Sequence, residues 1–192
     1  MSRVILIFGS FILCLLNDLS GQNLTDSLER RQGTWNFTLV FDSMLRVANP
    51  LVVCHFSNDT LNGNYTIYDK ETLRFEATYN KGLKEGLAFV YYPNNRINAI
   101  FFYVNDTIRS VMEFSEKGRL RKAIETINDD KEGWDIEFHD NARIHIKRFY
   151  SSHKISLPVK EYYKNGRLRY ITTYSDMGIV NEISFRRNGR KK

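Results

Sequence analysis

The chain has 192 residues, 28 Lys and Arg against 22 Asp and Glu for a net charge of +6, and an aromatic content of 14%. It holds only two cysteines, Cys14 and Cys54, so a disulfide framework is excluded and core packing must hold the fold. No nucleophile elbow, zinc-protease motif, phosphate loop or dinucleotide fingerprint is present, which removes the enzyme classes that carry them.

Residues 1–21 read as a cleaved secretory signal. Met1-Ser2-Arg3 gives a short basic start, Val4 to Leu16 is apolar apart from Gly9 and Ser10, and Ser20 and Gly21 are small. Such a run is shorter than the ~20 residues a bilayer span needs. Residues 22–32 read as an N-terminal extension that contains the dibasic pair Arg30-Arg31. The mature chain is therefore expected outside the cell, which makes nucleic acid the least expected partner for its basic excess. Cys14 leaves with the signal, and Cys54, beside Val52, Val53 and Phe56, is expected to be buried as a small hydrophobe.

From residue 33 onward the pattern alternates. Trp35, Phe37, Leu39 and Phe41 interleave with polar neighbours, as do Leu73, Phe75, Ala77 and Tyr79, then Trp134, Ile136 and Phe138, then Leu168, Tyr170 and Tyr174. A period of two marks strands buried on one face. A longer register overlies it: Phe41, Ile67, Tyr91, Phe114, Phe138, Tyr162 and Phe185 recur every 23 to 26 residues. Six residues after five of them stand Leu73, Ile97, Leu120, Ile144 and Leu168, and a second row holds Tyr79, Tyr103, Tyr150 and Tyr174. A fixed period of this length signals a copied supersecondary unit. Turn-rich segments such as Lys164-Asn165-Gly166 fall inside each unit, and a second set of loops (80–85, 105–110, 128–133, 151–158) is expected between units. The fold class is all-β: tandem antiparallel β-hairpin repeats forming one elongated, twisted or curled sheet over residues 33–192.

Five Asn-x-Thr sequons begin at Asn23, Asn36, Asn58, Asn64 and Asn105, where composition alone gives about two. They are expected N-glycosylation sites on exposed positions. The stretches "YYKNGRLRYITTY", "FSEKGRLRKAIET" and "YNKGLKEGLAFVYYPNNRINAIFFY" resemble MORN-type repeats, closest to the MORN-variant repeat of bacterial antitoxin-like proteins. The resemblance covers residues 33–192, with Asn95 and Ala142 standing where Gly118, Gly166 and Gly189 occur. It implies a scaffold with protein- or lipid-contacting surfaces, and binding instead of catalysis.

Other constellations carry weaker chemistry. His139 and His145 flank a turn and can approach each other, with His153 in a later loop, but the ordinary reading is surface histidines. The segment 128–133 begins like a calcium loop but lacks the ninth and twelfth ligands. Asp135 and Glu137 share a strand face, where solvated charges are usual. No cofactor or metal is called for. Arg186, Arg187, Arg190, Lys191 and Lys192 form a basic C-terminal end, a candidate anion-binding patch whose ordinary reading is a frayed terminus. The leading expectation is a secreted, non-enzymatic binding protein that presents its repeat surface to a protein partner. The alternatives are anionic lipid or glycan binding through the basic end, and a hydrolase using the acids near Trp134.

Overall fold

The computed structural model describes residues 23–127 and 130–192, so the expected signal segment lies outside the described residues. Two compact units divide the chain between Leu83 and Lys84. The first contains β1 (Leu24–Thr25), β2 (Arg31–Thr38), β3 (Phe41–Asp42), β4 (Val47–Ala48), β5 (Leu51–Ser57), β6 (Thr60–Asp69) and β7 (Thr72–Asn80). Its sheet runs β1-β2-β5-β6-β7, while β3 and β4 make a separate two-stranded ribbon. Next in the chain come β8 (Leu83–Tyr91), β9 (Ile97–Val104), β10 (Thr107–Phe114), β11 (Leu120–Ile127), β12 (Asp130–Phe138) and β13 (Ile144–Ser151). They are followed by β14 (Lys154–Ile155), β15 (Val159–Tyr162), β16 (Leu168–Ser175) and β17 (Gly178–Ser184). These strands neighbour one another in sequence order, except that β14 and β15 both pair β13. Within each unit every pairing is antiparallel, and no helix forms among the described residues. The chain is all-β, and each unit is built of tandem antiparallel hairpins, as the alternation implies.

The first unit holds an apolar core made by cross-strand partners. Val52 faces Ile67, which faces Phe75; Cys54 faces Tyr65, which faces Ala77. Val52, Cys54, Phe56, Ile67, Phe75 and Ala77 are all buried. Burying each large side chain contributes about 2 kcal/mol, and direct cross-strand contact adds to that. Burial pushes the Cys54 thiol above its ordinary range and the Tyr65 phenol up to about 12. The second unit buries smaller side chains, namely Ala88, Val90, Ala99 and Val159, together with two polar ones, Thr172 and Asp135.

One turn is copied five times. Tyr92, Ser115, His139, Tyr163 and Arg186 each open it, donating their main-chain N–H to the carbonyl four residues on and accepting from the N–H three residues on. The fourth residues of the turn, Asn95, Gly118, Ala142, Gly166 and Gly189, have φ of +62, +76, +61, +84 and +89°. The eroded glycines therefore keep the left-handed backbone of the copies that retain glycine. Immediately before the landmark residue the ladder shifts register, at Val90/Tyr91, Glu113/Phe114, Glu137/Phe138 and Glu161/Tyr162, as a bulge requires.

Two landmarks depart from the expected row. The β6–β7 turn closes around Lys70-Glu71 alone, so Tyr68 takes the place opposite Leu73, and Ile67 lies one step inward as core. Phe41 sits in the separate ribbon and is exposed. The second set of loops is tighter than expected. Asn58-Asp59, Asn105-Asp106 and Ser152-His153 have positive φ at both residues, the geometry of two-residue primed turns, so strands run through most of those segments. Pro158, which lacks an N–H, lies in the gap between β14 and β15. The second row survives in part: Tyr79, Tyr103 and Tyr150 lie opposite Gly63, Gly86 and Gly133.

Ala142 holds a conformation in which a Cβ costs about 1 kcal/mol. Ala142→Gly is expected to raise stability by roughly that amount and Gly166→Ala to lower it similarly, both measured by urea denaturation; equal stabilities would show that the copied turn does not fix these backbones.

Candidate functional site

The positive charge is unevenly shared. Residues 84–192 carry 21 Lys and Arg against 14 Asp and Glu, an excess of 7, whereas residues 1–83 carry 7 against 8. The second unit thus holds the whole cationic excess, and its copied turns organise much of it.

The fifth residue of every copied turn is arginine: Arg96, Arg119, Arg143, Arg167 and Arg190. Sequence reasoning passed over this row, although aligning "YPNNR", "SEKGR", "HDNAR", "YKNGR" and "RRNGR" displays it. Four of them reach forward to the next turn. Arg96 Nη1 donates to the Glu116 carbonyl at 3.2 Å, Arg119 to Asp140 at 2.8 Å, Arg143 to Asn165, and Arg167 to Arg187 at 3.2 Å. Asparagines at the third position tie the same turn internally, Asn94, Asn141, Asn165 and Asn188 each accepting from the arginine N–H through Oδ1. Lys117 occupies that place in the second copy, and the Ser115 hydroxyl oxygen accepts instead at 3.2 Å. The opening residue adds another link: Tyr92 and Tyr163 donate their hydroxyls to the carbonyls of Phe114 and Phe185 at 2.8 Å. Guanidinium groups and tyrosines are thereby held in a fixed row along one end of the strands.

Two clefts of about 470 Å³ each open along this row. Arg119, Arg121, Lys122 and Lys164 line the first, with Glu113, Glu137 and Asp140 and the rings of Phe138, His139 and His145. The second is lined by Lys164, Arg169 and Arg187 with Tyr162, Tyr163, Asn165 and His139. His139 and Lys164 belong to both. The imidazoles of His139 and His145 lie 4.3 Å apart, the approach their flanking of one turn suggested. His139 Nε2 donates to the Tyr162 carbonyl at 2.9 Å, a contact that fixes its proton there. Burial, and then the His139 ring, hold the His145 pKa below its ordinary value against the opposing pull of Glu161 and Glu137. Two of the nearby acids are already engaged, Glu137 with Arg148 at 2.7 Å and Glu161 with Arg169 at 2.6 Å.

The basic end joins this edge. Residues 186–190 form the fifth copy of the turn, and Lys192 N donates to the Ser184 carbonyl, so the terminus is tied by main-chain bonds and is not frayed. The side chains of Arg186, Arg187, Arg190, Lys191 and Lys192 are all exposed. Arg187 reaches the second cleft and lies 5.8 Å from the Tyr163 ring centre.

Asp135 lies elsewhere. It was expected on a solvated face but is 0% exposed. Lys131 Nζ meets its Oδ2 at 2.7 Å, with Arg148 at 3.8 Å and Lys122 at 3.9 Å around it. Its neighbours on adjacent strands, Ile124 and Arg148, explain the burial: the strand pairing, which sequence does not show, puts long side chains over it. Asp135 lines neither cleft, whereas Glu137 lines the first. His153 sits in the turn at the far end of β13. Residues 128–129 of the calcium-like segment lie outside the described residues, and Glu132 spends its carboxylate on the Ser152 N–H.

Of the sequon asparagines, Asn23, Asn58, Asn64 and Asn105 are exposed and Asn36 is half-buried. Asn23 brackets the main chain of Asn36, its Oδ1 accepting at 2.8 Å and its Nδ2 donating at 3.5 Å. Asn58 and Asn105 open equivalent two-residue turns. In the second unit Asn105 stands at the end of the strands opposite the arginine turns.

No protein-family model matches the chain, and no curated protein is similar to it.

Removing the Asp135 carboxylate leaves three cations facing one another around a buried site. Asp135→Ala is expected to cost roughly 3 kcal/mol, the low end for a broken buried charge pair because Lys131 can turn to solvent. Thermal denaturation checks this, and an unchanged midpoint would mean that the carboxylate holds nothing together.

Proposed function

We propose that this protein is a secreted, N-glycosylated, non-enzymatic binding protein whose ligand is a sulfated glycan held along the arginine-turn edge of the second unit. The observation that carries the reading is the pair of adjoining clefts, cation-lined and sharing His139 and Lys164, that continues into the exposed Arg186–Lys192 turn. Guanidinium and ammonium groups suit sulfate oxygens, and Tyr162 and Tyr163 offer apolar faces for sugar rings. Concave seats favour a chain that enters them over a flat anionic bilayer, which a polybasic surface would contact only at its rim. The ligand reading rests on the basic end already prominent in the sequence and extends it inward to Lys164, Arg169 and Arg121. Asn105, placed away from these clefts, leaves room for its glycan. The likeness of the turns to MORN-type repeats supports a binding role.

A protein partner has its own support in the first unit. The ribbon of β3 and β4 leaves Val40, Phe41 and Met44 exposed at 88, 56 and 58%. An apolar cluster of this kind suits a protein contact.

The glycosylated mature protein is expected to stay on a heparin column at about 0.15 M salt. Lys164→Ala with Arg187→Ala should elute earlier, and Phe41→Ser should not move. Flow-through of the wild type at that salt would refute the glycan reading, and retention on phosphatidylserine vesicles without heparin retention would replace it with the lipid one.

A further inference from the structure

Protonation separates the two clefts. The second has three cations, Lys164, Arg169 and Arg187, and no carboxylate on its wall. The first sets Arg119, Arg121, Lys122 and Lys164 against Glu113, Glu137 and Asp140, a net of +1 while its two histidines are neutral and +3 when both are charged. An anion entering the first cleft therefore meets a nearly balanced wall at neutral pH and a cationic one when the imidazoles protonate.

We infer that the His139–His145 pair, with Arg121 and Lys164, is an oxyanion seat for a sulfate or phosphate monoester of the ligand, and that this seat takes up protons as it fills. The inference rests on the glycan-binding reading above and specifies how that site is regulated. The rings lie 4.3 Å apart and both line the first cleft. His139 Nε2 is committed to the Tyr162 carbonyl, so Nδ1 is the ring atom left for a bound group. Around His145 stand Glu137 of β12, Glu161 of β15 at 3.8 Å and Arg169 of β16. Both carboxylates are bridged to arginines, Arg148 and Arg169, and are thereby weakened as counter-ions for imidazolium. An anion in the seat supplies the missing counter-charge.

The sign follows by linkage. Without ligand, burial and the neighbouring ring favour neutral His145. A bound oxyanion favours the charged form, so the complex holds more protons than the free protein, and affinity rises as pH falls until the free protein is itself protonated.

The test is calorimetry of the glycosylated protein with a heparin hexasaccharide at pH 7.4 and 5.5 and constant ionic strength, with a sugar monophosphate as a second arm. Wild type is expected to bind about tenfold tighter at pH 5.5, the factor that one unit of ligand-induced pKa change produces. H139Q and H145Q should each abolish the gain, read as the ratio of the affinities at the two pH values, while H153Q keeps it. Should either variant fail to fold, NMR titration of wild-type His145 with and without hexasaccharide decides the matter, since its pKa must rise on binding. Binding that is equally strong at both pH values, or a gain that survives in H139Q and H145Q, overturns the proton-coupled seat and leaves glycan binding standing. Absence of binding at both pH values removes the glycan reading and the seat with it. A gain seen with the sugar monophosphate but not with the hexasaccharide keeps the seat and reassigns its ligand to phosphate esters.

Discussion

The second unit depends on one recurrent contact, an arginine at the end of a five-residue turn whose guanidinium donates to a carbonyl of the following turn. Strand pairing sets the spacing of the strands but does not fix the conformation of the turns that join them. The arginine does, because a carbonyl that accepts a charged donor is held at one distance and direction. Each turn is therefore positioned by the one before it, and the asparagine at the third place holds the arginine backbone ready for its role.

That arrangement explains how an ordered, positively charged edge arises from a repeat whose faces are otherwise busy with packing. One of the guanidinium groups that brace the turns also lines a cleft, so at that position rigidity and positive charge come from the same residue. Arg119 is that residue, donating to the Asp140 carbonyl while forming part of the first cleft. A site held by main-chain acceptors loses little side-chain entropy when a ligand arrives. The two units divide the work differently: the first packs Val52, Ile67 and Phe75 in a conventional apolar core, and the second buries Asp135 among cations.

Much of the fold was legible in the chain. Strict alternation around Trp35, Phe75 and Trp134 specified strands, and the copied spacing specified tandem hairpins, since side-chain direction in a strand depends only on parity. The equivalence of Asn95 and Ala142 with Gly118, Gly166 and Gly189 was visible too and is realised as a shared left-handed backbone. The row containing Phe41 and Ile67 was misaligned because the first turn is shorter by one residue, and a landmark register read at constant spacing cannot sense a local shift. The loops between units were drawn too long because Asn-Asp and Ser-His close a turn in two residues as readily as glycine pairs do when both positions take positive φ.

By itself the sequence determined the all-β class, the repeat period, the burial of Cys54 and the approach of His139 to His145, because each follows from parity or from closeness along the chain. Tertiary structure alone decided that Asp135 is enclosed, that the C-terminal arginines and lysines belong to a turn, and that Lys164 and His139 stand between two cation-lined clefts. Those facts come from side chains on different strands and turns being brought together by strand pairing and turn hydrogen bonds, for which no local pattern of residues is a record.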